Sequence, residues 1–171
     1  MVEYYSLTQG HSFEGTPILR YKIALPRFTD KARMTEFYGQ IYDRVIGYCK
    51  DDLCRHSEEK YLQCDIPRKK FDYPPLIYRL EGRVTCIDGD LLFVKLTATV
   101  SQRGLSNTVT VYDAHAWSVS DECLIPPKAA AREYLKVRKA PRQMGKNGFL
   151  VENGKAFICL KDRLVPISLD K

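Results

Sequence analysis

Between residues 75 and 119 apolar and polar side chains alternate with period two, the pattern of half-buried strands. Leu76, Tyr78, Leu80, Val84 and Cys86 share one face of a first run, and Arg79, Glu81, Arg83 and Thr85 share the other. The run ends at Asp88-Gly89, a dipeptide that favours a tight hairpin because glycine accepts the positive φ of a primed turn. A second run sets Leu92, Val94, Leu96, Ala98 and Val100 against Lys95, Thr97 and Thr99, with Leu91 and Phe93 mixed in near the turn. Residues 101–107 are polar, contain Gly104, and predict a second reversal. The third run, residues 108–119, is rich in Thr, Val, Tyr and Trp, all good strand formers. There Val109, Val111, Trp117 and Val119 share a parity with Asp113 and His115. A β-bulge near Asp113 would repair that phase. The three runs together predict an antiparallel meander.

The flanking sequence supplies cover and edges. Residues 3–8 and 17–25 read as strands joined by a turn between Gly10 and Gly15, and Pro26 is expected to stop the second. With Thr29 or Asp30 as N-cap, Met34, Phe37, Tyr38, Ile41, Tyr42, Val45, Tyr48, Cys49 and Leu53 recur at helical spacing. They predict one long helix, reaching Asp52 or beyond, laid across the sheet. Residues 51–74 read as a charged, irregular connection. Pro126-Pro127 opens a short second helix over about residues 129–137, because proline suits a first turn. Asn153-Gly154, between residues 149–152 and 155–160, predicts a tight C-terminal hairpin, and Pro166 places a last strand, residues 164–169, at an edge. The fold class is therefore α+β: an antiparallel meander sheet packed by one long helix, with a second short helix and a C-terminal hairpin. A length of 171 residues suits a single domain, 1–171, with sub-halves 1–74 and 75–171.

Composition narrows the function classes. Hydrophobic residues make up 44% and charged residues 28%, ordinary for a soluble globular chain. The formal net charge of +6 suits an acidic partner. From Lys128 to Lys146 there are seven basic residues, opposed only by Glu133. Lys128, Arg132, Lys136, Arg138, Lys139 and Arg142 form the candidate anion-binding set. Tyr134 is the one aromatic interleaved for base stacking, so nucleic acid is not the favoured ligand. The Arg68-Lys69-Lys70 triplet reads as a solvated connection.

Little in the sequence points to catalysis or to a metal. The six cysteines are scattered. Cys49, Cys54, His56 and Cys64 form the one Cys/His cluster, with spacings poorly suited to zinc. No metal or cofactor is expected. His11, His56 and His115 are the candidate neutral-pH bases. Asp113 and His115 share a strand face, as a dyad would, but no nucleophile or catalytic motif accompanies them. No catalytic residue is assigned. The N-terminus lacks the basic-then-apolar pattern of a secretory leader, and no stretch has the length of a membrane span. The expectation is a cytoplasmic protein with reduced thiols, or an extracytoplasmic one if a leader has been removed.

The order of elements resembles the extracytoplasmic α+β domain of lysozyme-binding anti-sigma-V factors of Gram-positive bacteria, and a region that accompanies some peptidoglycan deacetylases. The residues that carry the likeness are Tyr21-Lys22-Ile23-Ala24-Leu25-Pro26, the helix with Phe37, Ile41 and Val45, the strands at 91–100 and 112–119, and the close Gly148-Phe149-Leu150-Val151-Glu152-Asn153-Gly154-Lys155-Ala156-Phe157. Where that family commonly has a Gly-Gly-Ala-His-like turn, this chain has Ser101-Gln102-Arg103-Gly104-Leu105-Ser106. The resemblance implies a non-catalytic binding or sensing module for a protein or cell-wall-like ligand. Arg103, Ser106 and Asn107 of that turn are the expected contacts. The alternative is an intracellular basic protein that binds nucleic acid or another polyanion through residues 128–146.

Overall fold

The computed structural model describes residues 1–64, 72–144 and 147–167. The chain opens with a hairpin of β1 (Val2–Phe13) and β2 (Thr16–Phe28). Helix α1 (Ala32–Tyr48) passes through one π-helical turn, Cys49–Leu53, into α2 (Cys54–Leu62). Strands β3 (Leu76–Asp88), β4 (Leu91–Gln102), β5 (Ser106–Ser118) and β6 (Cys123–Ile125) follow. Helix α3 (Pro127–Leu135) leads to the short strands β7 (Gly148–Glu152), β8 (Lys155–Cys159) and β9 (Leu164–Pro166). The large sheet runs β1-β2-β3-β4-β5-β6 and the small one β7-β8-β9. The α+β class and the β3–β4–β5 meander stand as expected.

The sheet is mixed rather than wholly antiparallel. Strand β2 pairs with β3 in parallel, Leu19 opposite Leu76 through Ala24 opposite Glu81. A parallel neighbour requires a crossover, and the α1–α2 rod supplies it. That rod packs its apolar stripe on one face of the sheet. Met34, Tyr38, Cys49 and Leu53 meet Leu19, Tyr21, Ile23 and Leu25 of β2, Leu76, Tyr78 and Leu80 of β3, and Leu92, Val94 and Leu96 of β4. A second core lies on the opposite face. There Leu91 and Phe93 of β4 and Ala114 and Ala116 of β5 are covered by Ala130 and Ala131 of α3, Met144, Phe149, Leu150, Val151, Ile158 and Cys159. Leu91 and Phe93, irregular in a one-core reading of the alternation, are the seat of this second core.

Several local expectations are corrected. Strand β1 runs to Phe13, past the expected Thr8, and turns at Glu14-Gly15, the far end of the expected turn stretch. Strand β2 continues through Pro26 to Phe28. Pro26 pairs with Tyr4 of the edge strand. Neither Thr29 nor Asp30 caps α1: Lys31 is the N-cap and its own side chain makes no capping bond, the Glu122 carboxylate accepts the Arg33 N–H of the first turn (2.9 Å), and the Thr29 hydroxyl donates to Asp30 (2.9 Å). The long helix does continue past Asp52, and of residues 51–74, read as an irregular connection, those up to Leu62 are helical; Arg68, Lys69 and Lys70 lie outside the described residues. The edge strand near Pro166 ends at that residue, and 168–169 lie outside the described residues.

No bulge falls at Asp113, since β5 keeps register with β4 from Val109 to Ser118. Within the meander the register shifts lie at Val84/Cys86 and at Val100/Gln102. The first has a packing reason. It carries Cys86 off the face of Val84, which packs on the helix core, to the face of Phe93, where Cys86 packs on the second core. At the C-terminal hairpin, Asn153 (φ 52°) and Gly154 (φ 72°) both take the left-handed conformation that a two-residue primed turn demands.

Gly82 of β3 is set by close approach. A Cβ there would meet Pro26 Cδ at 2.8 Å, Leu96 Cδ2 at 2.9 Å and Leu25 Cδ2 at 3.0 Å. Gly82→Ala is expected to destabilise the protein by about 1–3 kcal/mol, the usual penalty of overpacking a filled site. A denaturant midpoint unchanged from wild type would contradict that packing.

Candidate functional site

Helix α3 begins where Pro126 and Pro127 permit no earlier turn, and its inner face is fixed by alanine and aromatic packing. Ala130 and Ala131 are fully buried, and the Tyr134 ring sits 5.8 Å from Phe93 and 6.1 Å from Phe149. With that face inward, Lys128 and Arg132, four residues apart, project from the exposed side. The helix ends at Lys136, whose φ of 53° is left-handed, and Val137 N–H donates back to Arg132 O (3.1 Å). The chain then reverses and is pinned by buried Met144. This return brings Arg138, Lys139 and Arg142 alongside Lys128 and Arg132. They line a groove of about 540 Å³ with Ala140 and Pro141. Every ionisable side chain lining it is cationic.

The structure thus gathers five of the six basic candidates, Lys128, Arg132, Arg138, Lys139 and Arg142, around one cavity. Lys136 is exposed but does not line it; its backbone makes the turn that closes the site. Lys146 lies outside the described residues. Arg103, Ser106 and Asn107 are exposed at the β4–β5 tip, and none of them lines the groove. That tip is anchored from below by buried Gln102, whose amide donates to Tyr73 Oη and to Pro74 O, both at 3.0 Å. The tip and the groove are separate surfaces.

Asp113 and His115 do come together, with His115 Nε2 3.4 Å from Asp113 Oδ2. The rest of their surroundings is structural. Trp117 Nε1–H donates to Tyr38 Oη (3.0 Å), which leaves the Tyr38 hydroxyl proton to point at His115 Nδ1 (3.2 Å). His115 Nε2–H is then left to donate to Asp113, and Asp113 Oδ1 accepts the Ala114 N–H at 2.8 Å. Phe37 stands edge-on to His115 and Trp117, 5.2 Å from each. Both imidazole nitrogens are occupied, and the one hydroxyl within reach belongs to Tyr38, which is 0% exposed. Burial pushes the Tyr38 hydroxyl well above its ordinary pKa. The arrangement holds the helix to the sheet, and among the described residues it has no nucleophile that a substrate could reach.

The cysteines Cys49, Cys54, Cys64, Cys86, Cys123 and Cys159 are all unbridged. Burial, with the Cys54 thiol beside it, pushes the Cys49 thiol up to about 12, so it is not a reactive thiolate near neutral pH. Among the described residues no group of three or more His, Cys, Asp or Glu side chains is placed to hold a metal ion, and no helix is long and apolar enough to cross a membrane.

A second cationic cluster was not singled out from the sequence. Arg20 and Lys22 of β2 and Arg79 of β3 are exposed on the sheet face opposite α1. Alternation shows that they point outward, but it does not show that β2 and β3 are neighbours, and so it cannot bring them together.

No family model matches the chain, and neither does any curated protein. Solved structures do match. The chain shares its fold with a DUF3298 family protein. That protein is from Bacteroides fragilis NCTC 9343: TM-score 0.55, 11% sequence identity, covering 92% of this chain and 82% of that one. A second DUF3298 family protein, from Pseudomonas aeruginosa PAO1, aligns over 74% of this chain at 10% identity with a TM-score of 0.46, and this chain spans 55% of its length. At such identities the DUF3298 likeness is one of fold, and the site residues must be argued from this chain alone.

Two outcomes are expected from the Tyr38 network. Tyr38→Phe leaves the buried Trp117 N–H without its acceptor and should cost about 1–3 kcal/mol of stability; a neutral result would show that the indole finds another partner. The His115 hydrogen bond is the main cause that holds the Asp113 carboxyl below its usual pKa. The unfolded chain therefore binds this proton more readily than the folded one. The stabilisation is present above the ordinary Asp value of about 3.9 and is lost as pH falls through the lower folded value. Asp113→Asn should flatten the acid limb of the stability–pH curve relative to wild type, read from urea midpoints. Parallel acid limbs would refute the assignment.

Proposed function

We propose that the protein is a non-catalytic binding module whose ligand is anionic and is held by the groove between α3 and residues 138–142. The observation that carries this reading is the lining itself: five cationic side chains converge on one cavity with no acidic residue among them. Like charges gathered this way repel one another, and an anion that fills the cavity relieves the repulsion. Three of the five are arginines, whose planar forks suit phosphate and carboxylate oxygens in pairs. The resemblance to a lysozyme-binding domain supports the same class, a module that binds without performing chemistry. The occupied nitrogens of His115 fit it as well.

The groove chemistry bears on the choice between a cell-wall-like or protein ligand and a nucleic acid. It asks for closely spaced negative charge and offers little for bases to stack on. Tyr134, the one aromatic of the segment, is committed to Phe93 and Phe149. A phosphate- or carboxylate-bearing polymer or an acidic protein surface fits these features better than a sequence-specific nucleic-acid site.

Fluorescently labelled inorganic polyphosphate tests the reading. It should bind at low ionic strength, with log K falling linearly as log salt rises, because bound cations displace counterions. Arg132→Ala and Arg142→Ala should each reduce the salt slope by about 1 without lowering the melting temperature. Absence of binding at low salt, or full binding by the double variant, would overturn it.

A further inference from the structure

The large sheet is covered unequally on the face away from α1. The second core hides the β4 and β5 end of that face, but Tyr4, Ser6, Thr8, Arg20, Lys22 and Arg79 remain exposed. In the register of the sheet Thr8 stands opposite Lys22, Lys22 opposite Arg79, Arg79 opposite Thr99, and Thr99 opposite Thr110. One row therefore crosses five strands with two cations side by side at its centre. Directly opposed like charges destabilise a sheet unless something pairs with them. Neither Lys22 nor Arg79, nor Arg20 two residues along β2, forms a salt bridge among the described residues. The neighbouring charges are already matched: Arg83 pairs with Glu81 at 2.9 Å, and Lys95 pairs with Glu152 of β7. The row also borders two shallow clefts. One is lined by Tyr4, Lys22, Ala24 and residues 81–84, the other by Arg79, Glu81, Thr97 and Thr99.

We propose that this open sheet face, centred on Arg20, Lys22 and Arg79, docks an extended acidic polypeptide segment. Charge complementarity argues for an acidic occupant, and spacing argues for an extended one. Arg20 and Lys22, two apart on one strand, present their charges about 6.5–7 Å apart, and alternate carboxylates of an extended peptide repeat at the same interval. Arg79 lies one strand over, about 4.8 Å away, and can share the same carboxylates. The hydroxyls of Thr8, Thr97 and Thr99 line the same surface as donors for the remaining oxygens. The Glu81 carboxylate closes the acidic track at its far end. A flat face with Tyr4 as its single exposed ring offers no ladder for stacking bases, which sets a nucleic acid aside. This surface is distinct from the α3 groove and does not depend on the reading of that groove.

The test uses the full chain and a fluorescein-labelled decapeptide of alternating Glu and Thr, with anisotropy read at low ionic strength. Saturable binding is expected. The Lys22→Ser/Arg79→Ser double variant should bind at least about tenfold more weakly, as expected for loss of two charge-assisted contacts. Arg132→Ser/Arg142→Ser, which reports any capture of the same peptide by the α3 groove, should weaken binding less than the sheet variant does. Because the sheet variant relieves a like-charge pair, its melting temperature should equal or exceed that of wild type. Arg20→Ser provides an independent loss on the same surface. The proposal is overturned if the peptide does not saturate or if the sheet variants bind as well as wild type. It is equally overturned if only the groove variant loses binding, or if an oligothymidylate of equal charge binds this face more tightly than the peptide.

Discussion

Strand β4 is buried on both faces, and most of the architecture follows from that. Leu92, Val94 and Leu96 enter the core under α1, while Leu91 and Phe93 enter the core under α3 and the small sheet. Four consecutive buried side chains, Leu91 to Val94, contribute roughly 1.5–3 kcal/mol each in removed apolar surface. A slip of one residue would exchange the two sets between cores of different shape, so the register is strongly specified. The bulge at Val84/Cys86 lets β3 serve the same two cores along its length.

Polar contacts hold the long helix to the sheet within a largely apolar interface: the Thr35 hydroxyl donates to Phe28 O (2.6 Å) and accepts the Phe28 N–H (2.9 Å), and Tyr38 makes a second point. Tyr38 accepts from Trp117 and faces His115, and Phe37 packs against both rings on β5. A histidine beside an aspartate on a strand invites a catalytic reading. Here the geometry uses the pair to complete a hydrogen-bond chain that begins in the core. The polar residues of β5 keep the parity of Trp117 because they are partners of the helix, and no bulge is needed to move them aside.

The meander, the long helix and the C-terminal hairpin were legible because each is written in local periodicity or in a turn dipeptide, as at Asn153-Gly154. The second core was not, because its members come from β4, α3 and β7–β9, and Leu91 and Phe93 read alone as a defect in alternation. The parallel β2–β3 contact was hidden for the same reason: no local signal marks which strand a crossover returns to. The basic groove was half visible. Its charges stand in one segment, but the convergence of Arg138, Lys139 and Arg142 on Lys128 and Arg132 depends on the left-handed turn at Lys136. The cations of the open sheet face were visible one at a time and became a cluster only with the register.

Both basic surfaces are built on rigid supports, a helix packed on the second core in one case and paired strands in the other. Binding at the α3 groove should therefore slow local exchange without reshaping the fold. The most direct measurement is amide hydrogen exchange on the full chain with and without inorganic polyphosphate at low ionic strength. Protection centred on residues 128–142, and abolished by added salt, is the result this account predicts. Protection centred elsewhere, or none at polyphosphate concentrations that saturate the labelled probe, would contradict it.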